Sequence, residues 1–498
     1  MERKVVVAGW GQITQPKELN KGAKDPMGLM THASLKASEI MTSKKVLENL
    51  DGIMVVRIVS RNYSSPAKQL AQNLKATPEF THVSQIGGNS PQMLINMAAG
   101  MIARNKLESI LIAGAETYVQ RDSNLKTIEN ALFKGVPKDY EGDDLKGSTS
   151  LENAHGIKHP MQGFPLFETA LWAESGLDFQ TYMMKIGTMW SEFSQVAAAN
   201  PHAWSRTIKS PEEIITLSKN NRPVAFPYTK YMNSFVMVDQ GAAIILMSEE
   251  KAKKYSSKEG QSVYFLGGGY AEDRQRFMIE KSDFTSSSPL ESAVEKALTR
   301  SCISLENIDC FDLYSCFPSA VSIAKKMIKI EDNDPRPLTL TGGLGFFGGP
   351  GNNYSLHSVA TLAQKISTGE RSNGLITSLG WFMHKHAACI YGSTPSNGEL
   401  QNYDIIDQKE SLVGDEPIKI RDQYNGRGTI ETYTIIYDRN HEPSMAILYG
   451  RTPDNFRFIA RTQNDQDIFN QLTKKCMVGQ KVNIAFDSSQ NINIADLI

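Results

Sequence analysis

Three places in this chain carry side chains able to do chemistry near neutral pH. The first is Tyr314, in Asp312-Leu-Tyr-Ser-Cys-Phe317 at the end of an apolar run. A phenol there can donate a proton or a hydrogen bond to a carbonyl oxygen, or simply anchor the end of a strand. The second is Asn352, Asn353, Tyr354 and His357, which open a helix after the glycine-rich run Gly342–Gly351. Asparagine amides at a helix N-terminus can hold a carbonyl or phosphate, or act only as caps. His357 lies one turn further in, facing a pocket or satisfied in the core. The third is His384-Lys385-His386, where imidazole is the natural general base, with a solvated turn as the alternative. His384 and His386 have no third ligand at suitable spacing, so no metal is expected. The five cysteines (Cys302, Cys310, Cys316, Cys389, Cys476) are odd in number and lack metal-ligand spacing, which reads as reduced thiols. The glycine-rich run lacks the G-x-G-x-x-G spacing and later acidic partner of a dinucleotide site. Its glycines instead let backbone approach a ligand closely.

The elements that must position these residues occur twice. The strand Val5–Gly9, a helix near Met27–Met41 and the strand Leu50–Val56 are matched by Val263–Gly267, a helix near Leu290–Ser301 and the strand Ile308–Tyr314. Both strand pairs are displaced by about 258 positions. The turn Ile86-Gly-Gly-Asn-Ser90, the helix Gln92–Arg104 and the strand Ile110–Gly114 are then matched by Gly348–Asn353, the helix Ser355–Ile366 and the strand Gly374–Ser378. Strands apolar on both faces, alternating with helices, predict sheets covered on both sides: a duplicated, layered α-β-α-β-α body. The expected divisions are an N-terminal half at 1–255 with an insertion at 121–220, a C-terminal half at 256–395, a linker at 396–418 and a small all-β barrel at 419–498. In the barrel, Ile430, Tyr433 and Ile435 are expected to face inward, and Glu431, Thr432 and Thr434 mostly outward.

Bulk properties narrow the partners. The 498 residues carry a net charge of −1, which gives no electrostatic reason to expect nucleic acid or an anionic membrane. No apolar stretch approaches the roughly 18 residues needed to span a bilayer. The first apolar run is too short for a signal-peptide core, so a cytoplasmic location is expected.

Residues 1–395 resemble thiolases, in particular thiolase-like proteins of the sterol-carrier and lipid-transfer type. Four stretches carry the resemblance: Ile110-Leu-Ile-Ala-Gly-Ala-Glu-Thr117, Val238-Asp-Gln-Gly-Ala-Ala243, Asp312-Leu-Tyr-Ser-Cys-Phe317, and Thr341-Gly-Gly-Leu-Gly-Phe-Phe-Gly-Gly-Pro350. The C-terminal module resembles the OB-fold domains that accompany such thiolases, without a zinc ribbon beside it. The resemblance implies an acyl-CoA thioester as substrate, no further cofactor, and a monomer or homodimer.

It also marks departures. A thiolase nucleophile is a cysteine at a helix N-terminus, where backbone N–H groups stabilise thiolate and oxyanion. Gly87 matches that position here, with Ser90 nearby but no base beside it. Gly349 stands where a histidine precedes the proline, Ser378 where a second cysteine precedes Gly380, and Tyr314 where a histidine opens an H-D-C-F motif. The resemblance therefore implies acetyl-CoA acetyltransferase-like carbon–carbon chemistry by a non-cysteine route, with Tyr314, His357, His386 and Asn353 as catalytic candidates. Gly87, Ser90, Asn352, Gly349, Gly380 and His384 are the candidate substrate contacts. The alternatives are a retro-aldol lyase on β-hydroxyacyl-CoA and a non-catalytic acyl-CoA or lipid binder or assembly partner.

Overall fold

A computed structural model describes residues 3–17, 22–119, 147–255, 262–396, 411–438 and 440–498. Residues 121–146 of the expected insertion and most of the expected linker lie outside the described residues.

The first half supplies β1 (Val5–Thr14), α1 (Pro26–Glu39), β2 (Gly52–Val55), β3 (Phe80–Val83), α2 (Ser90–Ala103), β4 (Ser109–Thr117) and β5 (Asp239–Ser248). The second supplies β6 (Tyr264–Asp273), α3 (Ser288–Ser301), β7 (Cys310–Asp312), α4 (Tyr354–Ser367), β8 (Asn373–Gly380) and β9 (Lys385–Gly392). The strand order is β3-β2-β4-β5-β1-β6-β9-β8-β7. Within the sheet the halves join where Val5 and Val6 pair with Phe265 and Tyr264. Pairing senses repeat: β2–β4 and β7–β8 are parallel, β4–β5 and β8–β9 antiparallel. The duplication read from spacing is therefore real.

Strand alternation creates the layers. On β4, Ile110 and Ile112 join an inner core with Leu94, Ile95 and Ile102 of α2 and Leu356, Val359 and Leu362 of α4. Leu111 and Ala113 point the other way, into an outer core with Met30, Ala33 and Ala37 of α1. One strand thus serves two cores because successive side chains take opposite faces. Each fully buried Leu or Ile contributes about 1.5–3 kcal/mol. The outer helices lie close on their strands at matching glycines: a Cβ on Gly11 would overlap the Ala33 carbonyl oxygen, and one on Gly269 that of Ala293.

The C-terminal module is a barrel of five strands: β10 (Gly426–Tyr437), β11 (Pro443–Arg451), β12 (Arg457–Thr462), β13 (Lys481–Asp487) and β14 (Ile492–Leu497). It closes in the order β10-β11-β12-β14-β13-β10. Ile430, Tyr433 and Ile435 are buried as expected. Thr432 and Thr434 are not outward: both are fully buried. Their face docks on the body, where the hydroxyls donate to the Leu166 and Phe226 carbonyls. A register irregularity between Ile430 and Thr432 interrupts the simple alternation.

The described part of the insertion is mainly helical, including Pro160–Ser175 and Phe179–Ala199. Just beyond it, Ala225 pairs with Ile436 of the barrel. No described helix is long and apolar enough to cross a membrane.

Candidate active site

Helix α2 begins after two glycines, with Pro91 in its first turn. Proline pre-sets the helical φ and lacks an N–H that would be unpaired there. Gly87 has φ +147°, and its N–H donates to Asn352 Oδ1 at 3.0 Å. The side-chain direction that meets Tyr314 belongs to the next residue. A Cβ on Gly88 would overlap the Tyr314 hydroxyl and lie 2.6 Å from the Leu379 carbonyl oxygen. The space beside Gly88 at the start of α2 is thus filled by a phenol from the other half, while a Cβ on Gly87 would overlap Asn89 Oδ1.

Tyr314 is 7% exposed. Burial, with the neighbouring Cys316 as a smaller cause, raises its pKa well above the ordinary phenol value. It stays protonated and can donate, but it is a poor base. Its backbone N–H is tied to Thr377 Oγ1 at 3.0 Å. Burial also pushes the Cys316 and Cys389 thiols up, which keeps both unreactive.

Around this pair the β8–β9 hairpin brings Gly380 and Lys385 opposite each other. A Cβ on Gly380 would overlap Asn89 Oδ1 and touch Lys385 Cβ. Lys385 is 1% exposed and donates to Gln85 Oε1 at 3.3 Å. Asn89 Oδ1 is buried with no hydrogen-bond partner. Gln85, Asn89 and Lys385 were not chosen from the sequence. The cue was available, because strand alternation on β9 places Lys385 on the face opposite to His386.

The other expected residues divide. Ser90 donates to the Gln85 carbonyl, and Ser378 to the Ala387 carbonyl at 3.1 Å. Asn352 joins the Gly87 N–H to the Arg57 carbonyl, and Asn353 donates to the Gly114 carbonyl at 2.7 Å. Both asparagines thus bind first-half backbone. Gly349 has ordinary van der Waals room for a Cβ beside Leu344 and Ser234.

The histidines do not join Tyr314. His386 lies inside β9 rather than in a turn after the last strand, and meets Ser287 Oγ at 3.2 Å, on the face covered by α3. His384 is 2% exposed, both ring nitrogens lack a hydrogen-bond partner, and its carbonyl accepts from Asp273 N. His357 meets Gln12 Oε1 at 2.9 Å, behind a groove of about 800 Å³ lined by Gln12, Asn200, His202 and Thr361. Burial lowers the pKa of His357 and His386 to about 3 and that of His384 well below the usual value, so all three are neutral near pH 7.

Glu116, in the first of the four motif stretches, was also not singled out. It is fully buried and accepts from Val59 N at 2.8 Å and Ser60 N at 2.7 Å. Burial raises its pKa to about 7. Among the described residues no group of three or more His, Cys, Asp or Glu is placed to hold a metal.

The family model for the thiolase-like protein type 1 additional C-terminal domain matches residues 409–489. A monomeric SCP2-thiolase-like protein type 1 from Mycobacterium smegmatis is 29% identical, with both chains covered in full and a TM-score of 0.82. The Ltp2-ChsH2(DUF35) aldolase is 17% identical over 79% of this chain and 98% of its own, with a TM-score of 0.60. Human mitochondrial 3-ketoacyl-CoA thiolase is 16% identical over 79% of this chain and 99% of its own, with a TM-score of 0.55. No curated protein matches the chain. The body has the thiolase fold, and the barrel is of the kind that accompanies type 1 thiolase-like proteins.

Proposed function

We propose that this thiolase-fold chain handles acyl-CoA thioesters without forming a covalent acyl-enzyme. The observation that supports this most is that Gly87, which matches the nucleophile's position, has no side chain, while the Tyr314 hydroxyl fills the space beside the next residue, Gly88. A protonated phenol suits donation to a thioester carbonyl as negative charge develops on its oxygen. Lys385, beside the turn of the adjoining hairpin, donates to Gln85 Oε1 in the same wall. On this reading the acetyltransferase-like fold is kept while the double-displacement route through cysteine is lost. The test is calorimetry with CoA, acetyl-CoA and longer acyl-CoAs. Binding is expected, and no heat at millimolar ligand overturns the proposal.

A second reading has its own support. Retro-aldol cleavage of a β-hydroxyacyl-CoA needs acid–base groups and no acyl-enzyme, which Tyr314 fits, and an aldolase shares the fold. Turnover of β-hydroxyacyl-CoA to a carbonyl product and a shortened acyl-CoA, abolished in Tyr314→Phe, would favour it. Binding without turnover of either substrate class leaves the chain as an acyl-CoA binder.

A further inference from the structure

We infer that the C-terminal barrel is a strut for the hairpin that carries Lys385, acting through Arg457 and Lys281 as positioning residues. The part of this that concerns ligand binding rests on the function proposed above.

The strut starts at Arg457, which lies at the beginning of β12 and is fully buried. Its guanidinium donates from Nη2 to the Lys281 carbonyl at 2.7 Å and from Nη1 to the Met278 carbonyl at 3.4 Å. Its Nε pairs with Glu431 Oε2 at 2.6 Å, and its plane sits over the Phe284 ring, 4.8 Å from the centroid. Glu431 is in turn held by Arg451 at 2.7 Å. The barrel therefore grips the 278–284 segment of the body with a rigid, planar donor that only arginine supplies.

The grip is passed on by the side chain of Lys281, itself 2% exposed. Its ammonium donates to Asp273 Oδ2 at 2.8 Å and reaches the Met383 carbonyl at 3.5 Å. Asp273 N donates to the His384 carbonyl at 2.8 Å, and Glu272 pairs with Lys385 across β6 and β9. The turn so held is not relaxed by itself, because Trp381 and Met383 both have positive φ, at +55° and +64°. Non-glycine residues keep that conformation only where their surroundings impose it. The next residue along is Lys385, whose ammonium meets Gln85 in the wall beside Gly88 and Tyr314. Every link from the barrel to this wall is a hydrogen bond, an ion pair or a strand pairing.

The experiment compares the full-length protein with Arg457→Met, Arg457→Lys and Lys281→Met by amide hydrogen exchange and by acyl-CoA calorimetry. Lys281→Met keeps the carbonyl that Arg457 grips and removes only the relay, so it tests the idea even if Arg457→Met loosens the barrel. Both methionine variants are expected to raise exchange over 380–386 at least tenfold, with β13 and β14 unchanged in Lys281→Met. Acyl-CoA affinity is expected to fall at least tenfold, and Arg457→Lys to recover only part of either effect. Unchanged exchange over 380–386 in Lys281→Met overturns the strut. Raised exchange with unaltered affinity overturns its link to the site. If the unmodified protein binds no acyl-CoA, the proposed function fails, and the strut stands or falls on exchange alone.

Discussion

The Tyr314 hydroxyl lies where a Cβ on Gly88 would have to be, with the Leu379 carbonyl closing the same space. Two second-half residues thus leave no room for a side chain at Gly88 of the first half.

That relationship predicts a stability effect. Gly88→Ala is expected to cost about 1–3 kcal/mol, because overpacking a full site forces neighbours to move. Adding Tyr314→Phe removes the closest atom, the phenolic oxygen, and leaves the ring's Cζ and the Leu379 carbonyl in place, so the pair should recover part of the loss. A double-mutant cycle by chemical denaturation measures the coupling. Purely additive effects would show that the two positions do not compete for space.

The same geometry predicts the outcome of incubation with acetyl-CoA. No stoichiometric acetyl adduct is expected on any cysteine, since burial holds Cys316 and Cys389 as neutral thiols. Intact-mass analysis at pH 8 reads this directly. An adduct mapped to either residue contradicts it.

Glu168 should make the protein less stable as pH rises. It is fully buried, accepts from the Tyr182 and Tyr228 hydroxyls, and burial raises its pKa to about 7. The folded state favours the protonated acid, so this contribution is complete below the unfolded pKa near 4.5 and is lost as pH rises through about 7. The shift corresponds to about 3 kcal/mol, and Glu116 adds in the same direction. Urea midpoints are expected to fall between pH 5 and 8, and Glu168→Gln to flatten that slope. An equally steep slope in the variant would place the effect elsewhere.

His155 predicts the opposite dependence on the acid side. Its Nε2 accepts from Asn493 N of the barrel at 3.1 Å, and burial lowers its pKa to about 4. The folded state favours neutral imidazole, so stability is present above the unfolded value near 6.5 and is lost as pH falls through about 4. Amide exchange in β14 should rise between pH 6 and 4. His155→Gln should weaken this dependence, since its amide does not titrate.

How far the sequence reached depended on the kind of information needed. The duplication, the two-faced strands, the central helices and a β module at the end were all legible, because spacing and periodicity are local properties. The run Ile110–Gly114 is apolar at every position since both its faces are buried, and that reads directly. That position 87 carries no side chain was also legible, because a glycine can be named from sequence alone.

What the fold decided was direction and company. His386 and Lys385 are adjacent in sequence, yet alternation on β9 turns one to Ser287 under α3 and the other to Gln85 beside Tyr314. Thr432 and Thr434 were expected outside because β-strand alternation was read without the body that covers their face. That Gly88 rather than Gly87 aims at Tyr314 depends on backbone angles and on a partner 226 positions away. The sequence by itself determined which elements exist and which residue types are missing. Only the tertiary structure decided which side chains meet, because the contacts that build the site join residues hundreds of positions apart, and no local pattern encodes them.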